Sequence, residues 1–184
     1  MKASRHLIAG TVAAREDPGQ PVIWELANVY LWDLAIVSWA YDWATRNGAG
    51  QSLNFWRTAI KEGFAAGDWN GTNSARGAIN SSIAGAEPRI HAVGYALASE
   101  VFSTFPAQFV GRSVNANDVL VRFTFYGDAD LNGTVNFDDY VRTDNGFNNH
   151  LTGWSNGDYN FNDQVNFDDY VLIDLAFNTQ AATH

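Results

Sequence analysis

The stretch Asp128-Ala-Asp130-Leu-Asn132-Gly133-Thr134-Val135-Asn136-Phe137-Asp138-Asp139 places a side-chain oxygen at positions 1, 3, 5, 9 and 12 of a twelve-residue run. That spacing suits a hard divalent cation. Calcium takes six to eight oxygen ligands on a flexible frame, and a twelve-residue loop supplies them from positions 1, 3, 5, 7, 9 and 12. The ligands would be Asp128, Asp130, Asn132, the carbonyl of Thr134, Asn136 through a water, and Asp139. Gly133 stands at position 6, where the sharp turn needs a positive φ. Val135 at position 8 is the apolar residue expected to pair two such loops back-to-back and to point into the core.

A second copy runs from Asp158 to Asp169, and each copy continues into Tyr-Val and a later Asp-x-x-Phe-Asn. Its ligands would be Asp158, Asn160, Asn162, the carbonyl of Gln164, Asn166 and Asp169. Two substitutions set it apart. Asn160 replaces the Asp of position 3 and removes one ligand charge, and Asp163 replaces the glycine of position 6, which strains the turn. Two calcium ions are therefore expected, the second bound more weakly. Position 12 is Asp in both copies rather than the Glu of an EF-hand, so the helix leaving each loop must approach the ion more closely. Those exit helices would start near Phe137 and Phe167. Phe137, Tyr140 and Val141, matched by Phe167, Tyr170 and Val171, are expected to pack between the copies.

An Asp-terminated loop with an exit helix, no entering helix and a tandem repeat resembles the type I dockerin module of secreted bacterial proteins, over residues 126–178. The resemblance implies a fold organised around two calcium ions and attachment to a cohesin-like partner. Dockerins typically carry a small hydroxyl-bearing pair at loop positions 10 and 11. Here those positions are Phe137-Asp138 and Phe167-Asp168, and the linker 145–157, with His150 and Trp154, is longer than in cellulosomal versions. The resemblance therefore carries calcium binding further than cohesin docking. Gly67-Asp-Trp-Asn-Gly71, Ile79-Asn-Ser-Ser82, Val93-Gly-Tyr-Ala96 and the run from Val119 to Asp128 are similar to the C-terminal region of planctomycete-type surface or secreted proteins. Together they imply a secreted or cell-surface bacterial protein.

The loops need elements to hold them. Val119, Val121, Phe123 and Phe125 alternate with Leu120, Arg122, Thr124 and Tyr126, a strand that delivers the backbone into the first loop. His91 to Ala98 reads as a second strand, and Val101 to Phe109 as a short helix or packed loop. Leu53, Trp56, Ile60 and Phe64 recur at helical spacing after Ser52, a plausible N-cap, with Arg57, Lys61 and Glu62 between them. Gly67 to Ser82 reads as a polar loop, and Val29 to Tyr41 as a buried strand or a pair of short ones. The expected fold class is α+β. Residues 1–21 would be a leader or arm, 22–125 a small α+β domain, 126–178 the calcium-binding module and 179–184 a tail. The segment 1–14 has the outline of a short signal peptide.

Composition narrows the function. The chain has 184 residues, 46% hydrophobic, with seven Trp and twelve Phe, enough for one aromatic-rich core. A net charge of −9 argues against nucleic acid and anionic membrane surfaces. Val22 to Trp43 is apolar, but Glu25, Asp33 and Asp42 interrupt it, so no membrane insertion is expected. Absence of cysteine removes disulfides, thiolate nucleophiles and Cys-type zinc sites. Glu25, Glu62, Glu87 and Glu100 are scattered without a glycosidase pattern, although Asp68 beside Trp69 could line a sugar site. A triad of Ser99, His91 and Asp118 lacks a nucleophile-elbow motif. The expectation is a non-enzymatic extracellular calcium-binding module used for structure, attachment or assembly. The alternatives are a cohesin-binding or self-associating adhesion element and a polysaccharide-active enzyme.

Overall fold

A computed structural model describes residues 53–72 and 78–181. The expectations for the leader, for Val22 to Trp43 and for the Ser52 cap lie outside the described residues. Helix α1 (Leu53–Phe64) buries Trp56, Ala59, Ile60 and Gly63 along the predicted apolar stripe. It tightens into a 3₁₀ turn at Ala65–Gly67, and a short helix α2 (Ser82–Ala86) follows, capped by the Ser81 side chain accepting from the Ala84 N–H.

Strand β1 (His91–Leu97) pairs antiparallel with β4 (Val119–Phe125), with Val93 opposite Phe123 and Leu97 opposite Val119. Between them come helix α3 (Ala98–Val101) and a hairpin of β2 (Ala107–Phe109) and β3 (Arg112–Val114). Phe109 thus belongs to a strand rather than to a helix or loop. The two-residue turn Val110-Gly111 has positive φ at both positions, the twist that matches a hairpin. The fold class is α+β, as expected.

Two helices leave the metal-type loops, α4 (Phe137–Asn149) and α5 (Phe167–Ala181). Helix α4 extends further than the sequence suggested. Asn145 to Asn149 are helical, and the connection starts at His150, whose left-handed φ ends the helix. It then forms a 3₁₀ turn at Trp154–Asn156.

One continuous cluster of buried residues runs from Trp56 and Ile60 of α1, through the β1–β4 pair, to Leu131, Val135, Trp154, Phe161 and Ile173. Trp154 is its hub. The indole packs against Gly94 of β1, where a Cβ would come within 2.6 Å of the ring. It meets Tyr159 edge-on with centroids 5.1 Å apart, and lies 5.8 Å from Phe161. Phe161 in turn contacts Phe64 and Trp69, so the second loop shares its core with α1. Burial of several such rings, about 150–250 Å² each, dominates the packing.

Candidate metal centre

The first loop is built from the backbone outward. β4 ends at Phe125, and two residues later Gly127 begins the turn that carries Asp128. The Asp128 carboxylate is fully buried. It accepts the N–H groups of Asn132 at 2.9 Å and Gly133 at 2.8 Å, and the hydroxyl of Thr124 donates to it as well. Asp130 accepts from the Asn132 N–H at 3.0 Å, and Asn132 from the Thr134 N–H at 2.9 Å. At the far end Asp139 reaches back to the N–H groups of Ala129 at 2.8 Å and Asn136 at 2.9 Å. The Asn136 side chain caps α4 by accepting from the Asp138 N–H. This reciprocal cap fixes the position-12 carboxylate and starts the helix in one arrangement. Carboxylate oxygens of Asp128, Asp130 and Asp139 come within 4.8 Å of one another, a group that could hold a metal ion.

The second loop repeats the backbone N–H part of the pattern. Asp158 accepts from Asn162 at 3.0 Å and Asp163 at 3.1 Å, and Asn160 and Asn162 each accept from the residue two positions on. Asp169 reaches back to Tyr159 at 2.8 Å and Asn166 at 3.0 Å, while Asn166 caps α5. Here only Asp158 and Asp169 bring carboxylates, because position 3 is Asn160.

Electrostatics fit a cation-directed cluster. Burial pushes the Asp128 carboxyl up to about 7 against the pull of its Thr124 and Gly133 bonds, with Asp139 and Asp130 adding repulsion. Burial likewise lifts Asp139 and Asp169 to about 6. Asp158 is raised for the same reason, while Arg57 and Lys61 draw it down. Crowded, desolvated carboxylates resist ionising until a positive charge joins them.

Backbone strain falls where the sequence suggested and at one place more. Gly133 has φ +98° and Asp163 φ +70°, as position 6 requires. Leu131 and Phe161 at position 4 also have φ +58°, and both are buried. Neither residue type favours that region, so nothing in the local sequence announced it. Over Gly133 sits the guanidinium of Arg122, occupying the space a Cβ would need and donating to the Leu131 carbonyl at 2.7 Å.

Two expectations about the paired loops are corrected. Val135 does point into the core, but its backbone does not pair with the other loop. Its N–H donates to the Gln180 Oε1 at 2.8 Å, and its carbonyl accepts from the Gln180 amide. Of the apolar residues expected between the copies, Phe167 touches the Phe147 ring of α4 with centroids 5.7 Å apart, while Phe137, Val141 and Val171 are largely turned to solvent. Phe137 is 78% and Phe167 76% exposed, and both valines are half-exposed. The two helices meet through Tyr140, Tyr170 and the Phe147–Phe167 ring contact. The Tyr140 hydroxyl donates to Asp174 at 2.6 Å and the Tyr170 hydroxyl to Asp144 at 2.5 Å, a reciprocal pair about a pseudo-two-fold axis. The repeated Asp-x-x-Phe-Asn held the signal for those two carboxylates.

Long-range contacts left no local signal. The Trp154 indole N–H donates to the Asp128 carbonyl at 2.7 Å. Tyr159, buried between the copies, donates to the Gly127 carbonyl at 3.2 Å and bonds the Thr143 hydroxyl at 2.8 Å. Thr124 could have been suspected, since it lies on the strand entering the loop.

The other candidates are dispersed. Trp69 is 1% exposed and donates to the Tyr126 hydroxyl at 3.2 Å, so its ring offers no face to a sugar. His91 is bound to Glu87 at 2.5 Å at one end of β1, and Ser99 lies beyond the other end. At about 3.4 Å per residue, a seven-residue strand separates them by roughly 20 Å. Glu100 accepts from the Leu97 N–H and the Ser155 hydroxyl, tying α3 to the Trp154 turn. No helix among the described residues is long and apolar enough to cross a membrane. Compared with protein-family models, curated proteins and solved structures, the chain matches none.

Proposed function

We propose that the chain is a non-enzymatic, extracellular calcium-binding module, in which two ions rigidify a dockerin-like pair of loop–helix units packed on a small α+β body. The observation that carries this reading is the repetition of one donor geometry. In both loops the oxygens of positions 1, 3, 5 and 12 are gathered by the same backbone N–H groups. The ligand sets are Asp128, Asp130, Asn132, Thr134, Asn136 and Asp139 in the first loop, and Asp158, Asn160, Asn162, Gln164, Asn166 and Asp169 in the second. Oxygen donors without sulfur or imidazole favour calcium over transition metals. Three carboxylates in one loop and two in the other, each ending in Asp, suit the weak affinities of extracellular modules, about 10⁻⁴–10⁻³ M. Calcium bound only by the folded chain would add to its stability. Calorimetric titration with calcium and melting with and without chelator test this. The expected outcome is two binding events and a lower melting temperature in chelator, and identical melting curves would overturn it.

A second reading makes the same unit an attachment or assembly element. Phe137 with Val141, and Phe167 with Val171, form two symmetry-related apolar exposures at the starts of α4 and α5, the kind of surface that marks protein contacts. A cohesin-like protein or a second copy of the chain would be the partner. Size-exclusion chromatography with calcium separates these occupants. A shift to dimer that Phe137→Ser with Phe167→Ser abolishes supports self-association, and a strict monomer at high concentration counts against it.

A further inference from the structure

Asp163 stands where the turn wants glycine, with φ +70°, and its side chain faces outward from the loop. It meets two cations from α1, Arg57 through Oδ1 and Lys61 through Oδ2 at 3.0 Å. Arg57 and Lys61 are four residues apart and share one face of α1. Asp163 links those cations to the position-1 oxygen donor of the same loop, since its own N–H donates to the Asp158 carboxylate at 3.1 Å. Two positive charges therefore stand beside a loop with carboxylates at only two of its ligand positions, Asp158 and Asp169.

We infer that Asp163 is a charge-balancing residue that sets the cation affinity of the second loop by neutralising Arg57 and Lys61. The inference rests on the calcium-binding reading of the loops. The trio carries a net charge of +1. Without the aspartate it would be +2, and without the two cations −1. A divalent ion entering the loop feels that difference through solvent, so the effect is modest and screened by salt. The departure from glycine then has a function that outweighs the strain of a left-handed aspartate. The opposite reading, that Asp163 is only a poor turn residue, predicts that restoring glycine tightens the site.

Calcium titrations followed on the amide signals of Asn132 and Asn162 report the two loops separately in the full chain. Asp163→Asn keeps a residue that tolerates the left-handed region and removes the charge. It is expected to weaken the second loop about threefold to tenfold at low salt and to leave the first unchanged. Asp163→Gly is expected to weaken it too, and Arg57→Gln with Lys61→Gln to tighten it by a larger factor, since two charges are removed rather than one. All three differences should shrink to less than about twofold at roughly 0.5 M salt. Tightening by Asp163→Gly, an unchanged Asp163→Asn, or a salt-independent loss would overturn the inference. If neither amide responds to calcium in the unaltered chain, the calcium reading itself fails. Normal titration of both loops with no effect of the variants would remove the charge-balancing role alone.

Discussion

The two loops share one backbone and differ in their charges. Each closes through the same run of side chains accepting from N–H groups two to five positions on, and each ends in a carboxylate that caps its own exit helix. Yet the first concentrates three carboxylates around buried Asp128 and covers a glycine corner with Arg122. The second has carboxylates at two ligand positions and turns Asp163 outward to α1. Short polar side chains hydrogen-bonding to nearby backbone are enough to shape such a loop. What distinguishes the copies is therefore electrostatic, set within the repeat by Asn160 and Asp163 and outside it by Arg57 and Lys61.

Trp154 is the point where the comparison should break most completely, because the copies share it. Trp154→Ala is expected to destabilise the fold by about 3–5 kcal/mol and to weaken calcium binding at both loops together. Denaturant unfolding and the Asn132 and Asn162 signals would show this, and a loss confined to one loop would mean that the indole serves only that copy. Next in size is the ranking of the ligands. Asp139→Ala should lower calcium affinity at the first loop by at least about tenfold, and should reduce the calcium-induced gain in melting temperature more than Asp169→Ala does. Equal or reversed losses would remove the distinction between a stronger and a weaker site.

Acidity sharpens the contrast further. A proton on a raised carboxyl must leave before a cation enters, so calcium affinity should fall with pH. The first loop, governed by Asp128 at about 7, should weaken before the second, governed by Asp169 at about 6. Stability in chelator runs the other way. Between about pH 4 and 7 the folded chain holds protons that the unfolded chain has released, so stability falls as pH rises through that window. Melting in chelator at about pH 5 and about pH 7.5 checks the sign, and a higher melting temperature at the upper pH would contradict it.

The smallest effect concerns symmetry itself. Tyr140→Phe and Tyr170→Phe each remove one half of the reciprocal pair with Asp174 and Asp144 and should cost about 1 kcal/mol apiece. Equal losses in chemical denaturation would show that the helices stay symmetric where the loops do not. A twofold disparity would extend the asymmetry into the helices.

How much of this was legible follows from the range of each interaction. The exit helices at Phe137 and Phe167, the α1 stripe and the β4 strand are local patterns, and the structure reproduces them. The partners of those elements were not legible. Gln180 holds Val135 across 45 residues, and Lys61 meets Asp163 across 102, separations at which no periodicity survives. The exposure of Phe137 and Phe167 was misjudged for a related reason. Hydrophobic type suggests burial, but which helix face turns inward is decided here by the Tyr140 and Tyr170 pairs. Asp163 looked like a defect while only its φ could be considered, and its partners give it another meaning.

The bond from Trp154 to the Asp128 carbonyl has an optical consequence. A fully buried indole screened from water emits at short wavelength, and this one is tethered to the first residue of the first loop. Any loosening of that loop lets solvent reach the ring and moves its emission to the red. Seven tryptophans emit together, so the part of the shift that Trp154→Phe removes is the gauge of whether the first loop is closed.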